Sequence, residues 1–541
     1  MKSSHPLRVG LFGIGLEAYW PQFEGLKPRL EGYLSQVIAS SARLKPLERT
    51  LAARWNDCDE MKPILTWLAI IGALLTTALA ATKERPPNIV FILTDDLGIK
   101  DLGVYGSDYH RTPRLDRLAA EGMRFSNAYA ASSVCSPTRA SILTGQYPHR
   151  LHLTDALPWD RLPENPRLVP PNHLKELPAS DATYAKSLRE AGYRTALFGK
   201  WHLGNEHEFF SGRHNDYGFD EAFDADYRKI NNVDKGVDTL TEQALGFIES
   251  NRDRPFMLAL HHHTPHVPLA VPAEYQRRYD NVPPGQNQQD KQYAGMISHL
   301  DDAVGRLLDK LDALNLADHT IVIFTSDNGG LSAETSNLPY REGKGTLYEG
   351  GIRVPLIIRW PGKIKPGSVC EGVTISTDFF PTFLEVAGLP LQPNTHLDGQ
   401  SLVPWLRGKK PDPTRTVFWH VPHYRQKGPQ SAVRDGNWKL IHNIETDTHE
   451  LYDLAKDPGE ANDLAAAQPD RTKQLAARLE THLTETKAQR LRPNPDWDEK
   501  KPRGRVWEMG VFYPKQGGTF QQVKDRDYPA WFQHAEPARQ P

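Results

Sequence analysis

Asn88-Ile-Val-Phe-Ile-Leu-Thr-Asp-Asp96 decides the fold class. An unbroken run of β-branched and aromatic residues, without polar alternation, reads as a strand buried on both faces, the kind that helices cover in parallel sheets. The run stops at two carboxylates. Thr320-Ile-Val-Ile-Phe-Thr325 has the same texture and stops at Ser326-Asp327-Asn328-Gly329-Gly330. Two buried strands thus deliver acidic and amide side chains just past their C-terminal ends, where open α/β sheets place their ligands.

Outward from these runs, helix-like segments (113–121, 184–191, 292–314) alternate with strand-like ones (195–198, 256–260, 354–359), which predicts a mainly parallel sheet flanked by helices. After Pro404 the texture changes. Pro411-Asp412-Pro413 reads as a linker, short strands follow at 416–420 and 438–442, and a polar, Pro-rich tail begins after Arg490. The expected organisation is a large domain over 86–405 and a smaller α+β domain with an antiparallel sheet over 411–541. A chain of 541 residues suits that division. The formal charge of −2 gives no general attraction for nucleic acid, so an anionic ligand must be held by local cations. Cys58, Cys135 and Cys370 are too few and too irregularly spaced for a disulfide framework or a zinc site.

From Met61 the chain reads MKPILTWLAIIGALLTTALAA: a lysine, an apolar run, then small residues Ala78, Ala80 and Ala81. That is the anatomy of a secretory signal peptide, and the run is short for a stable membrane anchor. Export to the periplasm or medium is expected, with 61–81 as the signal peptide and 1–60 as an extension of the gene model. Leu7–Leu34 resembles the opening strand and helix of an arabinose-isomerase-type sugar isomerase, but nothing else of an isomerase follows.

The residues themselves form a set suited to processing an anion. Asp95, Asp96, Asp327 and Asn328 are hard oxygen donors, appropriate to Ca²⁺ or Mg²⁺. An acidic pair at a strand end is ordinarily a helix cap or a solvated turn; two such pairs after two buried strands weaken that reading. Cys135 alone would be a small buried hydrophobe. Pro137 fits an early helix position, which sets Cys135 near a helix N-terminus that favours an anion. Arg139 follows about one turn along, where a surface ion pair is the ordinary alternative. Lys200 and Lys344 sit in Gly-flanked turns that let the backbone come close to a ligand. His202 and His266 are proton-transfer candidates, because imidazole titrates near neutral pH. His261, His262 and His263 have no spacing that singles one out and read as structural or rim residues.

Cys135-Ser136-Pro137-Thr138-Arg139, continuing to Leu143-Thr144-Gly145, resembles the type I sulfatases, whose Cys-x-Pro-x-Arg element directs oxidation of its cysteine to formylglycine. Asp95-Asp96, Gly199-Lys200-Trp201-His202-Leu203-Gly204, Thr264-Pro265-His266-Val267-Pro268, Ser326-Asp327-Asn328-Gly329 and Gly343-Lys344-Gly345 resemble that family's site elements in the same order, and the likeness covers nearly all of 88–465. The resemblance implies an alkaline-phosphatase-like α/β fold and hydrolysis of sulfate esters of glycans. It implies formylglycine formed from Cys135 by a formylglycine-generating enzyme, and calcium, with magnesium still open, held by Asp95, Asp96, residue 135, Asp327 and Asn328. In the implied mechanism a hydroxyl of the hydrated aldehyde, oriented by Arg139 and the metal, attacks sulfur. His266 or Lys344 protonates the leaving oxygen, His202 takes the proton of the second hydroxyl, and Lys200 and Lys344 stabilise the sulfuryl oxygens.

Two rival readings use the same residues. A phosphate or phosphonate ester hydrolase of the same fold would need similar geometry, and a secreted glycan-binding protein would leave Cys135 unoxidised. For selectivity the candidate is Trp419-His420-Val421-Pro422-His423-Tyr424-Arg425 with Arg434, in which His420 is expected to reach the sugar, the alternative being a core strand and a solvated turn.

Overall fold

The computed structural model describes residues 85–225, 233–501 and the strand Val506–Gly510. The expected signal segment 61–81, the isomerase-like stretch 7–34 and Cys58 lie outside the described residues. From Arg85 onward the described chain belongs to one compact unit.

An eight-stranded sheet forms its centre. In chain order its strands are β1 (Asn88–Asp95), β2 (Met123–Phe125), β3 (Arg194–Gly199), β4 (Glu221–Phe223), β5 (Phe256–Pro265), β6 (Thr320–Ser326), β7 (Leu356–Arg359) and β8 (Ser368–Cys370). The spatial order is β8-β2-β7-β6-β1-β5-β3-β4. β1 lies between β6 and β5, parallel to both, and β7 alone runs antiparallel to its two neighbours.

Side-chain alternation along β1 explains why the run is apolar throughout. Ile89, Phe91 and Leu93 face one layer with the helices α2 (Cys135–Thr144), α3 (Tyr184–Glu190) and α6 (Phe379–Val386). Val90 and Ile92 face the other, with α1 (Pro113–Glu121), α4 (Val237–Ser250) and α5 (Lys291–Ala313). Each fully buried aliphatic or aromatic side chain adds roughly 1.5–3 kcal/mol. A one-residue slip would exchange the two faces while keeping them apolar, so it is the chemistry at the strand's end that fixes what the register delivers.

The second sheet is antiparallel, in the order β9 (Thr416–Val421), β10 (Gln430–Asp435), β11 (Trp438–Asn443) and β12 (Thr448–Asp453). One of its faces packs Val417, Trp419 and Ile441 against Tyr129, Tyr348 and Ile352 of the larger region. The other packs Val433, Leu440 and Leu451 against Leu475, Leu479 and Leu483 of α7 (Pro469–Glu485). The smaller sheet is therefore docked by an apolar face as well as linked through the Pro411 turn.

Three local features differ from the sequence reading. β5 runs on through His261, His262 and His263 to Pro265: β3 pairs with it as far as His261, and β1 pairs at His261 and, past an irregularity, again at Pro265. β7 begins at Leu356, since the Val354 amide donates instead to the Ala128 carbonyl. Past Arg490 the chain folds back, and Arg492–Pro493 pairs with Leu168–Val169. Among the described residues no helix is long and apolar enough to cross a membrane.

Candidate active site

Four chain segments converge at the C-terminal ends of β1 and β6. β1 contributes Asp95 and, just beyond it, Asp96, whose φ of 67° turns the chain sharply off the strand. Asp327 and Asn328 follow β6, and the Asp96 amide donates to Asp327 Oδ1 at 3.3 Å, which ties the two strand ends together. Cys135 is the first residue of α2, a helix buried along its whole length, and Arg139 lies one turn further on the same face. Lys200 follows Gly199, where a Cβ would sit 1.9 Å from the His261 carbonyl oxygen; only glycine lets β3 approach β5 this closely. The segment after β6 continues as an excursion from Asn328 to Lys344, pinned by the Lys344 amide donating to the Gly330 carbonyl at 3.0 Å.

Each cation holds a different carboxylate. Lys200 Nζ donates to Asp95 Oδ2 at 2.6 Å, Lys344 Nζ to Asp96 at 2.7 Å and Arg139 Nε to Asp327 Oδ2 at 2.8 Å. Cys135 Sγ lies among them, 3.4 Å from Asp95 Oδ1, 4.0 Å from Asp96 Oδ1 and 3.6 Å from Lys344 Nζ. Asn328 Nδ2 donates to Asp96 Oδ1 at 2.8 Å. Arg139 also donates to the Lys200 carbonyl, and His261 Nδ1 lies 3.5 Å from it, a contact the sequence did not single out. Only the extension of β5 through the three histidines brings His261 there.

The two proton-transfer candidates have assigned roles for one nitrogen each. His202 Nε2 donates to the Leu157 carbonyl at 2.5 Å, which leaves the lone pair on Nδ1, a buried atom without a hydrogen-bond partner. His266 Nδ1 donates to the Val267 carbonyl at 2.5 Å, and its Nε2 faces Asp96 Oδ2 at 3.7 Å.

Burial and charge pull in opposite directions here. Burial works to raise Asp95, but Lys200, His266, Arg139 and Lys344 prevail and hold its carboxyl well below the usual range. Asp327, buried beside Asp95, is pushed up to about 6 against the pull of Arg139. Burial opposes the charge on Lys200 and Lys344, yet Asp95 and Asp96 keep both above the ordinary lysine value. The Cys135 thiol is pushed up to about 12 by burial and by Asp327, so the unmodified side chain is a neutral thiol and no thiolate nucleophile. Burial takes His202 well below its ordinary value, and Lys200 adds to this; burial lowers His266 as well, with Asp95 and Asp96 opposing.

A divalent cation fits this arrangement. Asp95, Asp96, Cys135 and His266 each offer an atom within 4.8 Å of the others. Asn328 Oδ1 is buried with no hydrogen-bond partner, a state that costs about 1–3 kcal/mol unless something with positive charge lies against it. Asp95, Asp96, Asp327 and Asn328 supply the hard oxygen donors that calcium or magnesium takes.

His420 does not join this cluster, which corrects the expectation that it reaches a sugar. The ring is 4% exposed, Nδ1 is bonded to Ser431 Oγ at 2.7 Å and Nε2 to the Gln489 carbonyl at 2.8 Å. It is a satisfied core histidine between β9, β10 and the returning tail. Arg425 is buried against Asp155, and Arg434 bonds Tyr129 and Asn127 at the junction of the two sheets. Their charges serve the docking of the smaller sheet.

The sulfatase family profile matches residues 87–389, and a profile for the C-terminal region of N-sulphoglucosamine sulphohydrolase matches 343–489. A sulfatase of Formosa agariphila is 30% identical over 86% of this chain and 100% of its own length. Human arylsulfatase A is 32% identical over 73% of this chain and 88% of its own. The crystal structure of Ps i-CgsB in complex with k-i-k-neocarrahexaose superposes with a TM-score of 0.63 at 28% identity, covering 77% of this chain and 96% of that one. The resemblance first carried by Cys135-x-Pro137-x-Arg139 thus extends over residues 87–389, and the chain belongs to the type I sulfatases of the alkaline phosphatase superfamily, as a sulfuric ester hydrolase.

Proposed function

We propose that the chain removes sulfate from sulfated glycans, using a formylglycine formed from Cys135 and a calcium ion held by Asp95, Asp96, residue 135, Asp327 and Asn328. The observation that carries this reading is the placement of Cys135 at the head of α2 with three cation–carboxylate pairs around its side chain. Bound there, a divalent cation supplies Lewis-acid polarisation of a sulfate oxygen, and the hydrated aldehyde of formylglycine supplies the attacking hydroxyl.

The chain's own side chains do the rest. Lys200 and Lys344 face the sulfuryl oxygens and stabilise the charge that builds there. Lys344, or His266 through Nε2, protonates the departing sugar oxygen. His202, with Nε2 fixed on the Leu157 carbonyl, accepts a proton at Nδ1. Arg139 orients the side chain at 135 and neutralises Asp327.

A glycan substrate is supported by the relatives' names: human N-acetylgalactosamine-6-sulfatase is 32% identical over 73% of this chain, and Ps i-CgsB was solved with a neocarrahexaose. Export as a periplasmic or secreted enzyme, with a mature N-terminus near Ala81 or Thr82, goes with such a substrate and with the 61–81 segment. The larger region over 86–405 is proposed as the catalytic domain and 411–541 as its C-terminal subdomain and tail.

The test is co-expression with a formylglycine-generating enzyme, intact-mass measurement of the Cys135 peptide, and turnover of 4-nitrophenyl sulfate beside a panel of defined sulfated glycans. Conversion of Cys135 should track activity across preparations, and Cys135→Ala should be inactive. Full activity in a preparation whose Cys135 is unoxidised overturns the reading.

A further inference from the structure

A cavity of about 800 Å³, within the 300–1,000 Å³ common for ligand sites, is lined in part by the chain that joins Asn328 to Lys344 of the reaction cluster. One wall is Ser332 to Glu342, the middle of the excursion that begins at Asn328 and ends at Lys344 of the cluster. Asn337 braces that wall by donating to the Gly330 and Glu342 carbonyls, both at 3.0 Å. The opposite wall is the segment from Asn287 to Gln292 at the start of α5. The floor is His110 and Gln288, both anchored to Asp101, six residues beyond Asp95.

This floor is built. Asp101 is fully buried and accepts from the Gly98 amide at 2.7 Å, Tyr293 Oη at 2.7 Å, Thr335 Oγ1 at 2.5 Å and Gln288 Nε2 at 3.0 Å. His110 is 5% exposed, and its Nδ1 donates to the Asp101 carbonyl at 3.1 Å. That bond leaves the lone pair on Nε2 of a ring that lines the cavity. A buried histidine is thus held in one tautomer with an acceptor presented to an open, polar space.

The lining selects against a second anion. Its formally charged members are Asp290, Glu334 and Glu342 against Lys291; Lys291 is drawn to Asp280 at 3.2 Å and Glu342 to Lys427 at 2.7 Å, which leaves Asp290 and Glu334. The rest is mostly amide and hydroxyl, with Tyr340 as the aromatic surface. Such a set hydrogen-bonds a hydroxyl-rich neutral ring and gives little to an apolar ligand.

Resting on the proposal that the substrate is a sulfated glycan, we propose that this cavity is a subsite for an unsulfated sugar residue next to the one that bears the sulfate. His110 Nε2 accepts from a sugar hydroxyl, and the 328–344 excursion couples occupancy of the subsite to the placement of Lys344. The enzyme is then selective for oligosaccharides over the isolated sulfated sugar.

The experiment compares kcat/KM on tetrasaccharides of chondroitin 6-sulfate, heparan sulfate and κ-carrageenan with that on the matching sulfated monosaccharides, with 4-nitrophenyl sulfate as the control. Two variants are used: His110→Phe, which keeps the ring volume and removes the acceptor, and Ala333→Trp, which fills the cavity from an exposed position. Wild type should favour at least one tetrasaccharide over its monosaccharide by about tenfold or more. Both variants should bring that ratio close to one and leave 4-nitrophenyl sulfate turnover within about twofold. A ratio near one in wild type, a ratio that Ala333→Trp leaves intact, or equal losses on all substrates overturns the subsite. Absence of turnover on every probe, 4-nitrophenyl sulfate included, overturns the sulfatase reading and the subsite with it.

Discussion

Lys200→Met is the most discriminating single substitution at the reaction cluster. Methionine keeps the length of the side chain and removes the ammonium that lies 2.6 Å from Asp95 Oδ2, with both side chains almost fully buried. Stripping one partner from a buried ion pair leaves an uncompensated charge, which costs roughly 3–5 kcal/mol. The remaining neighbours Arg139 and Lys344 are committed to Asp327 and Asp96, so they cannot fully replace it. A divalent cation against Asp95 can. The stability loss should therefore be close to the full 3–5 kcal/mol in a chelator and should shrink by at least half in millimolar calcium, as urea denaturation under the two conditions would measure. Catalysis should not recover with it. Removing one preorganised donor to the charge that develops in the transition state typically lowers kcat by about 10²–10³. Calcium should thus restore the fold of Lys200→Met and leave its 4-nitrophenyl sulfate turnover depressed. Equal destabilisation with and without calcium would refute the assignment of Asp95 as a metal ligand, and near-normal kcat would refute a role for Lys200 at the sulfate.

Asn328→Ala removes the one buried amide oxygen of the cluster that lacks a partner, so the calcium concentration for half-maximal activity should rise by about tenfold or more; an unchanged calcium titration would exclude Asn328 from the site. Cys135→Ser retains one hydroxyl, so it should release at most about one equivalent of 4-nitrophenol and then stall, for want of a second hydroxyl to expel the sulfate; sustained steady-state turnover at the native rate would defeat the mechanism. Away from the site, Glu349 and Glu460 share Lys439 at 2.9 and 2.8 Å, all three buried. Burial and the nearby Glu349 push Glu460 from 4.5 up to about 7, so the folded chain keeps a proton that the unfolded chain releases, and stability present below pH 4.5 is lost as pH rises towards 7. Glu460→Gln should flatten that decline in thermal midpoint between pH 5 and 7.5, and a slope identical to wild type would place the titration elsewhere.

The sequence by itself determined the large sheet and which residues gather at its C-terminal edge, because both are written locally. An apolar run such as 88–94 must be buried on both faces, and the residues that come directly after it must emerge at the sheet's C-terminal edge whatever the details of packing. Asp95, Asp96, Asp327 and Asn328 were legible for that reason, and Cys135, Arg139, Lys200 and Lys344 through their motifs. Pairings between distant segments were not legible. Which carboxylate each cation takes, the approach of His261 to Arg139, and the cavity built on Asp101 all depend on side chains brought together from strands and loops far apart in the chain. His420 shows the limit most plainly. Its sequence neighbourhood, aromatic and cationic, is the same whether the strand faces a sugar or a core, and only the arrival of Ser431 and Gln489 from other segments decides that both ring nitrogens are already taken. Local periodicity says which residues share a face; the partner that face meets is settled by the tertiary fold.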